Sequence, residues 1–301
     1  MAGVWPVAPT VFDDDGTLDL DGQRRVADFL LDSGVSGICI LANYSEQFSL
    51  SDQERAAVQD AVLRHLADRL PVIVTISHLS ARVTAERARA AADAGAAMLM
   101  VMPPFFGATM SYGYECVREW LATVGSATNL PLMLQDAPMS TTVLSPEQIA
   151  ELSAEVPTLR YAKIETAKAA EKIRALRRLA ADSLPGVFDG EEGVTLLPDL
   201  DAGAVGSMTS CSVPEVMAKA VAAYAAGDRA RAWDLWERVL PLVHYENRLC
   251  GLSASKVLLK EGGVIGSDHT RAPIAALPAE TRAGLLELAR ARDALALRWA
   301  R

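Results

Sequence analysis

The stretch Leu159-Arg160-Tyr161-Ala162-Lys163-Ile164-Glu165 decides how the chain folds. Successive side chains of extended backbone point to opposite sides, so Tyr161, Lys163 and Glu165 share one face and Ala162 and Ile164 the other. Such a strand suits a closed parallel barrel. The apolar pair packs beneath outer helices, while the polar trio faces the interior near the C-terminal end of the strand, where barrel enzymes keep their chemistry. Seven further short apolar, β-rich runs flank it, near residues 4–9, 37–43, 71–77, 96–103, 131–136, 185–190 and 204–210.

Between these runs lie longer segments with apolar residues at three- and four-residue spacing, such as 22–33, 51–68 and 83–94, which predict helices. Three helix starts carry local signals. Ser51 with Glu54 and Ser212 with Glu215 have capping-box spacing, and Ser145 with Gln148 adds Pro146 at the first helical position. Eight strands alternating with helices predict an α/β fold of the (β/α)8 TIM-barrel type over residues 1–212. After about residue 212 the strand pattern stops, and 213–301 reads as C-terminal helices packed on the barrel, near 214–226, 228–250, 253–260 and 278–300. An open doubly wound sheet is the competitor. Its glycine-rich turn after the first strand is missing here, where the chain runs Val7-Ala8-Pro9-Thr10-Val11-Phe12.

A length of 301 residues fits one barrel of ~250 residues plus an extension. A net charge of −9 argues against nucleic acid as a partner. The four cysteines, Cys39, Cys116, Cys211 and Cys250, are far apart with no CxxC pair. Reduced thiols in a cytoplasm are therefore the expectation, not a zinc site or a disulfide framework. The chain shows no basic-then-apolar leader and no apolar run of ~18 residues, so export and membrane spanning are not expected. No His/Asp/Glu cluster has metal-ligand spacing, and Asp13-Asp14-Asp15 reads as a solvated turn before Gly16. Neither a metal nor a cofactor is expected.

The chain has six lysines, and the remaining 23 of its 29 basic residues are arginines. Lys163 is the one on a predicted strand. Lys168, Lys172, Lys219, Lys256 and Lys260 fall in helical stretches and are expected to be solvated. Loss of hydration disfavours an ammonium at the barrel mouth, and a neutral amine there attacks a ketone to form an imine, which acidifies the adjacent carbon. Glu165 is within reach to move that proton. A structural Lys–Glu pair at a strand end fits the same spacing.

The order of motifs resembles the dihydrodipicolinate synthase / N-acetylneuraminate lyase family of class I aldolases and lyases. The matching stretches are Ala8-Pro9-Thr10, residues 37–55, Met102-Pro103-Pro104-Phe105-Phe106, residues 131–138 with Pro138, and Lys163. The resemblance implies that Lys163 forms the Schiff base. Two departures stand out. Ala42-Asn43-Tyr44-Ser45-Glu46 replaces the usual Gly-Thr-Thr-Gly-Glu, and the family's relay tyrosine on the fifth strand aligns with Gln135, which has no titratable proton. Phe105 and Phe106 supply no phenolic hydroxyl either.

The motifs Asn43-Tyr44-Ser45-Glu46-Gln47-Phe48, residues 102–108 and Leu134-Gln135-Asp136-Ala137-Pro138 are most similar to the branch that contains L-2-keto-3-deoxyarabonate dehydratase. The resemblance implies Lys163 and Glu165 as the catalytic pair, with dehydration of a 2-keto-3-deoxy sugar acid, L-2-keto-3-deoxyarabonate, to 2-oxoglutarate semialdehyde. It also implies that Tyr44, Ser45 and nearby backbone N–H groups meet the substrate carboxylate, with Asn43 a further substrate-binding residue of the same turn, and that the assembly is a homotetramer or homodimer. Gln135, Gly190, Asp189 and His78 are further candidate substrate contacts, with a turn cap the alternative for Asp189. The small-molecule partner is a 2-oxo acid. Retro-aldol cleavage, decarboxylating dehydration and a dihydrodipicolinate synthase-like condensation use the same lysine. A non-catalytic small-molecule sensor on a retired barrel is the reading from a different class.

Overall fold

The computed structural model describes residues 1–105 and 113–300. Phe106, Gly107 and Ala108 of the 102–108 motif lie outside the described residues. The strands are β1 (Gly3–Val4), β2 (Ile38–Ile40), β3 (Val72–Thr75), β4 (Met98–Val101), β5 (Leu132–Asp136), β6 (Leu159–Ile164), β7 (Gly186–Asp189) and β8 (Gly206–Ser207). They hydrogen-bond in the order β1-β8-β7-β6-β5-β4-β3-β2. Just past β1, a parallel bridge between Val7 and Cys39 joins the first strand to the second, with Cys39 N donating to Pro6 O and Ala8 N to Cys39 O, both at 2.8 Å. The order therefore returns on itself, and the fold is a (β/α)8 barrel with C-terminal helices, as the alternation predicts.

The chain divides into two compact units. One comprises Ile73–Glu191 with Thr195–Ser207 and Met1–Ala2. It carries β4 to β8 with the helices α3 (Ala81–Asp93), α4 (Tyr114–Gly125), α5 (Pro146–Glu155), α6 (Ala169–Leu179) and α7 (Leu196–Asp201). β4 and β5 are buried on both faces, which is why they read as largely apolar runs. β6 sits in register between β5 and β7, with Lys163 opposite Gln135 on one side and Phe188 on the other. Ala162 and Ile164 are fully buried, as expected for the face turned to the helices. Ser145 and Gln148 form the predicted capping box at the start of α5.

The other unit comprises Gly3–Val72, Glu192–Val194 and Met208–Arg301. It holds β1, β2, α1 (Leu20–Asp32), α2 (Asp52–Leu66), α8 (Pro214–Ala225), α9 (Arg229–Tyr245), α10 (Ser253–Glu261) and α11 (Ala279–Ala291). Ser51 and Glu54 cap α2 reciprocally. The third box does not form. Val213 caps α8 without a side-chain bond, because Glu215 is drawn away to accept from Leu295 N at 3.0 Å. α9 stops at Tyr245 and passes into a π-turn over Glu246–Cys250, so the predicted 228–250 helix is not one regular element. α11 likewise ends at Ala291, short of the predicted 300.

The expectation that the helical lysines are solvated fails at Lys256, whose side chain is fully buried against that of Glu46. Helix α10 has buried residues all round, from Ser253 to Leu259, so it has no solvent face on which to place the lysine. Lys172 is also largely buried, 2.8 Å from Asp136.

Candidate functional site

In the first unit the polar trio of β6 separates by depth. Tyr161 accepts a hydrogen bond from the Met1 ammonium at 2.9 Å, and its ring lies 6.2 Å from that of Phe188. Lys163, two residues on, is 4 % exposed and places Nζ 2.8 Å from Glu165 Oε1. Glu165 lies one residue past the strand, yet its N–H still donates to Asp136 O at 3.0 Å, so its backbone continues the ladder.

Gln135, in register with Lys163, donates from Nε2 to the same Glu165 oxygen at 2.7 Å. A carboxylate only accepts, so this bond fixes the amide orientation and turns Gln135 Oε1 elsewhere. That oxygen is buried and has no partner among the described residues. Lysine, glutamate and glutamine thus meet on one oxygen, an arrangement that can hold and move a proton beside an amine.

Gly190 forms the wall behind them. Its N–H donates to Ile164 O at 2.9 Å, and a Cβ placed on it would stand 2.6 Å from Cγ of both Lys163 and Glu165. No side chain fits there, so the glycine is required by the close approach.

Asp189 is not brought to this group. It pairs in register with Ile164, on the opposite pleat face from Lys163 and Phe188. Its fully buried carboxyl accepts from Ser207 Oγ and from Glu191 N at 3.1 Å. Burial, and after it the Asp199 carboxylate, push Asp189 up to about 7, while burial raises Asp199 to about 6.

His78 is half-buried, and its Nδ1 accepts from Ser80 N at 3.0 Å at the start of α3. Asp136 takes Lys172 Nζ at 2.8 Å and the Thr166 hydroxyl at 2.6 Å.

Asn43, Tyr44 and Ser45 belong to the other unit and form one turn of 3-10 helix. Asn43 Oδ1 accepts from Gln47 Nε2 at 2.6 Å. Ser45 is 1 % exposed and donates its hydroxyl to Ala8 O at 2.6 Å, while its carbonyl accepts from Thr10. Tyr44 is half-buried.

The turn ends on Glu46, in the left-handed region at φ 56°. Its carboxylate accepts from Lys256 Nζ and, at 2.9 Å, from Arg271 N. This buried pair is the polar cluster that sequence reasoning missed. The available signal was α10 itself, whose apolar positions leave no side for a solvated lysine.

A profile of the dihydrodipicolinate synthetase family matches residues 1–292. The chain belongs to this family. Within it, the chain is 46 % identical over 298 residues to the L-2-keto-3-deoxyarabonate dehydratase of Azospirillum brasilense, covering 99 % of this chain and 96 % of that protein. It is 31 % identical over 284 residues to 4-hydroxy-tetrahydrodipicolinate synthase 1 of Streptomyces coelicolor, covering 92 % and 89 %. The crystal structure of dihydrodipicolinate synthase from Rhodopseudomonas palustris superposes with a TM-score of 0.89 at 30 % identity, over 97 % of each chain. Among the described residues no helix is long and apolar enough to cross a membrane.

Proposed function

We propose that the protein is a Schiff-base lyase that dehydrates a 2-keto-3-deoxy sugar acid, L-2-keto-3-deoxyarabonate, to 2-oxoglutarate semialdehyde. The observation that carries this reading is the 46 % identity, along nearly the whole of both chains, to a dehydratase of that substrate. The chemistry of Lys163, Glu165 and Gln135 agrees with it.

In the proposed mechanism the Lys163 amine attacks the C2 ketone, and loss of water gives the imine. Glu165, 2.8 Å from the amine, takes a proton from C3. The resulting enamine expels the C4 hydroxyl, which leaves as water. A proton then moves from C5 to C3, the C4–C5 enol becomes the C5 aldehyde, and hydrolysis returns the lysine. The sum is substrate minus one water. Gln135 holds Glu165 in place and takes no proton itself. Gly190 keeps the space against both stems clear of a side chain.

The Tyr44 and Ser45 carboxylate contacts and the homotetrameric or homodimeric state are supported by the family resemblance. The four cysteines form no disulfide among the described residues, which supports the cytoplasmic location. The second reading is the condensation named by the synthase of Streptomyces coelicolor. Gln135, in the place of the family's relay tyrosine, counts against it.

The test is a panel of 2-keto-3-deoxy acids with product analysis. Wild type is expected to give 2-oxoglutarate semialdehyde, whereas pyruvate plus an aldehyde means aldol cleavage and carbon dioxide means decarboxylation. Lys163→Ala should abolish both turnover and borohydride trapping. Glu165→Gln should keep trapping and lose most dehydration, and near-normal dehydration by that variant would refute the proton-transfer role.

A further inference from the structure

Behind the lysine–glutamate pair, on the far side of β7, lies a buried acid that the proposed reaction does not use. Asp189 is fully buried in the first unit, and three hydrogen bonds converge around it. Its carboxyl accepts from Glu191 N at 3.1 Å, which closes a turn over the residue between them, Gly190. Its second oxygen accepts from the Ser207 hydroxyl of β8. Gly190 itself donates to Ile164 O of β6 at 2.9 Å. The glycine is tied from both sides, and it presses on the Cγ atoms of Lys163 and Glu165 with no room for even one added carbon.

We infer that Asp189 is a positioning residue for Lys163 and Glu165: its braced carboxyl pins Gly190 against the stems of both side chains. This rests on the proposed roles of Lys163 and Glu165.

The charges around it make the assignment specific. The Asp199 carboxylate of α7 and, from the other pleat face of β6, Lys163 act electrostatically on Asp189, and Glu191 and Arg174 of α6 act on Asp199. Burial and Asp199 push Asp189 up to about 7. At pH 6 it is therefore mostly an uncharged brace. An asparagine reproduces that form, because its oxygen still accepts from Glu191 N and its amide can donate to the serine hydroxyl. Above pH 8 the aspartate is charged and the asparagine is not.

The experiment uses the full-length protein carrying Asp189→Ala, Asp189→Asn or Ser207→Ala. Competent sites are counted by borohydride trapping of pyruvate on Lys163, read by mass. kcat per trapped site and KM for a 2-keto-3-deoxy acid are measured at pH 6 and pH 8.5. Misplacing a catalytic group by ~1 Å costs up to ~100-fold, so Asp189→Ala should lose at least tenfold in kcat per trapped site, with KM within about threefold. Asp189→Asn should return kcat to within about threefold of wild type at pH 6, and the ratio of the two should change by pH 8.5. Ser207→Ala should fall between them, and it decides the question if the alanine variant does not fold.

A merely structural role moves the number of competent sites but not kcat per site or its pH dependence. Equal kcat per trapped site in wild type, Asp189→Ala and Ser207→Ala overturns the inference and leaves the proposed function standing. Wild type that traps no imine overturns both.

Discussion

Removing either partner of the buried Lys256–Glu46 pair should be among the most destabilising single changes in the chain. Both side chains are fully buried. The ammonium also donates to His269 O at 2.7 Å and lies 4.4 Å from the centroid of the Phe12 ring. Breaking a buried ion pair from one side costs about 3–5 kcal/mol, because the remaining charge stays buried without its counter-charge. In Lys256→Met the Glu46 carboxylate keeps the Arg271 amide, with the Arg271 guanidinium stacked on the same ring at 4.3 Å. The cost should therefore sit at the lower end, about 3 kcal/mol. Glu46→Gln should cost a similar amount.

The double variant Glu46→Gln/Lys256→Met removes both charges and the need for either. It should fall within about 1–2 kcal/mol of wild type. Against a usual domain stability of about 5–15 kcal/mol, a loss of 3 kcal/mol is large enough to resolve. The assay is urea unfolding followed by far-ultraviolet circular dichroism, analysed as a double-mutant cycle. Coupling of about 3 kcal/mol or more is expected. Single costs below about 1 kcal/mol, or costs that add to within about 0.5 kcal/mol, would show that the pair is not held as a dry ion pair.

Glu246 gives a pH-dependent expectation. Its carboxyl is fully buried on the π-turn and accepts from the Ser210 hydroxyl at 2.9 Å, and burial pushes it up to about 7. The folded state keeps this proton to about pH 7 while the unfolded chain releases it near 4.5. The stabilisation is complete below that lower value and is lost as pH rises through the upper one, about 3 kcal/mol in all. The urea midpoint of wild type should fall between pH 5 and pH 8, and Glu246→Gln should flatten the slope; an unchanged slope contradicts the assignment. Gly190→Ala should lower kcat at least tenfold by driving the Lys163 and Glu165 stems apart, read by steady-state kinetics per borohydride-trapped site, and should lower the urea midpoint too because the added carbon is overpacked. Ser51→Ala should cost about 1 kcal/mol through loss of the α2 cap and leave kcat unchanged, which thermal unfolding and steady-state kinetics check together.

The barrel was legible because its signal is local. Buried parallel strands are largely apolar on both faces, and β6 departs from this by placing Lys163 and, one residue past the strand, Glu165 on one face. Strand ends were less legible. The first run was expected over 4–9 but pairs regularly only over Gly3–Val4, since Pro6 and Pro9 lack the N–H a continuous ladder needs.

The orientation of Asp189 could not be read at all from its own stretch. Phe188 shares a face with Lys163 only through the β6–β7 register, and a shift of one residue would have exchanged the two. Lys256 was misread for a related reason. Periodicity places a lysine outward when a helix has an outside, and α10 has none. What pairs with a buried charge is a matter of distant chain, here more than two hundred residues away at Glu46.

Under the proposed function, the convergence on Glu165 accounts for a glutamine at the position where the family resemblance implies a proton-relaying tyrosine. One carboxylate oxygen accepts from Lys163 Nζ at 2.8 Å and from Gln135 Nε2 at 2.7 Å. A phenol in that place would bring a second titratable proton to the amine, and in a dehydration the carboxylate can carry the protons of successive steps alone. The amide contributes orientation instead. Because its N–H is committed to Glu165, its carbonyl oxygen is left buried without a donor among the described residues, a state that costs about 1–3 kcal/mol until a donor arrives. Under the proposed function a hydroxyl of the 2-keto-3-deoxy acid is the expected donor, which pyruvate lacks. If the substrate meets Gln135 as proposed, a 2-keto-3-deoxy acid is expected to bind about ten- to a hundredfold more tightly than pyruvate, a difference that Gln135→Ala should erase in competition binding.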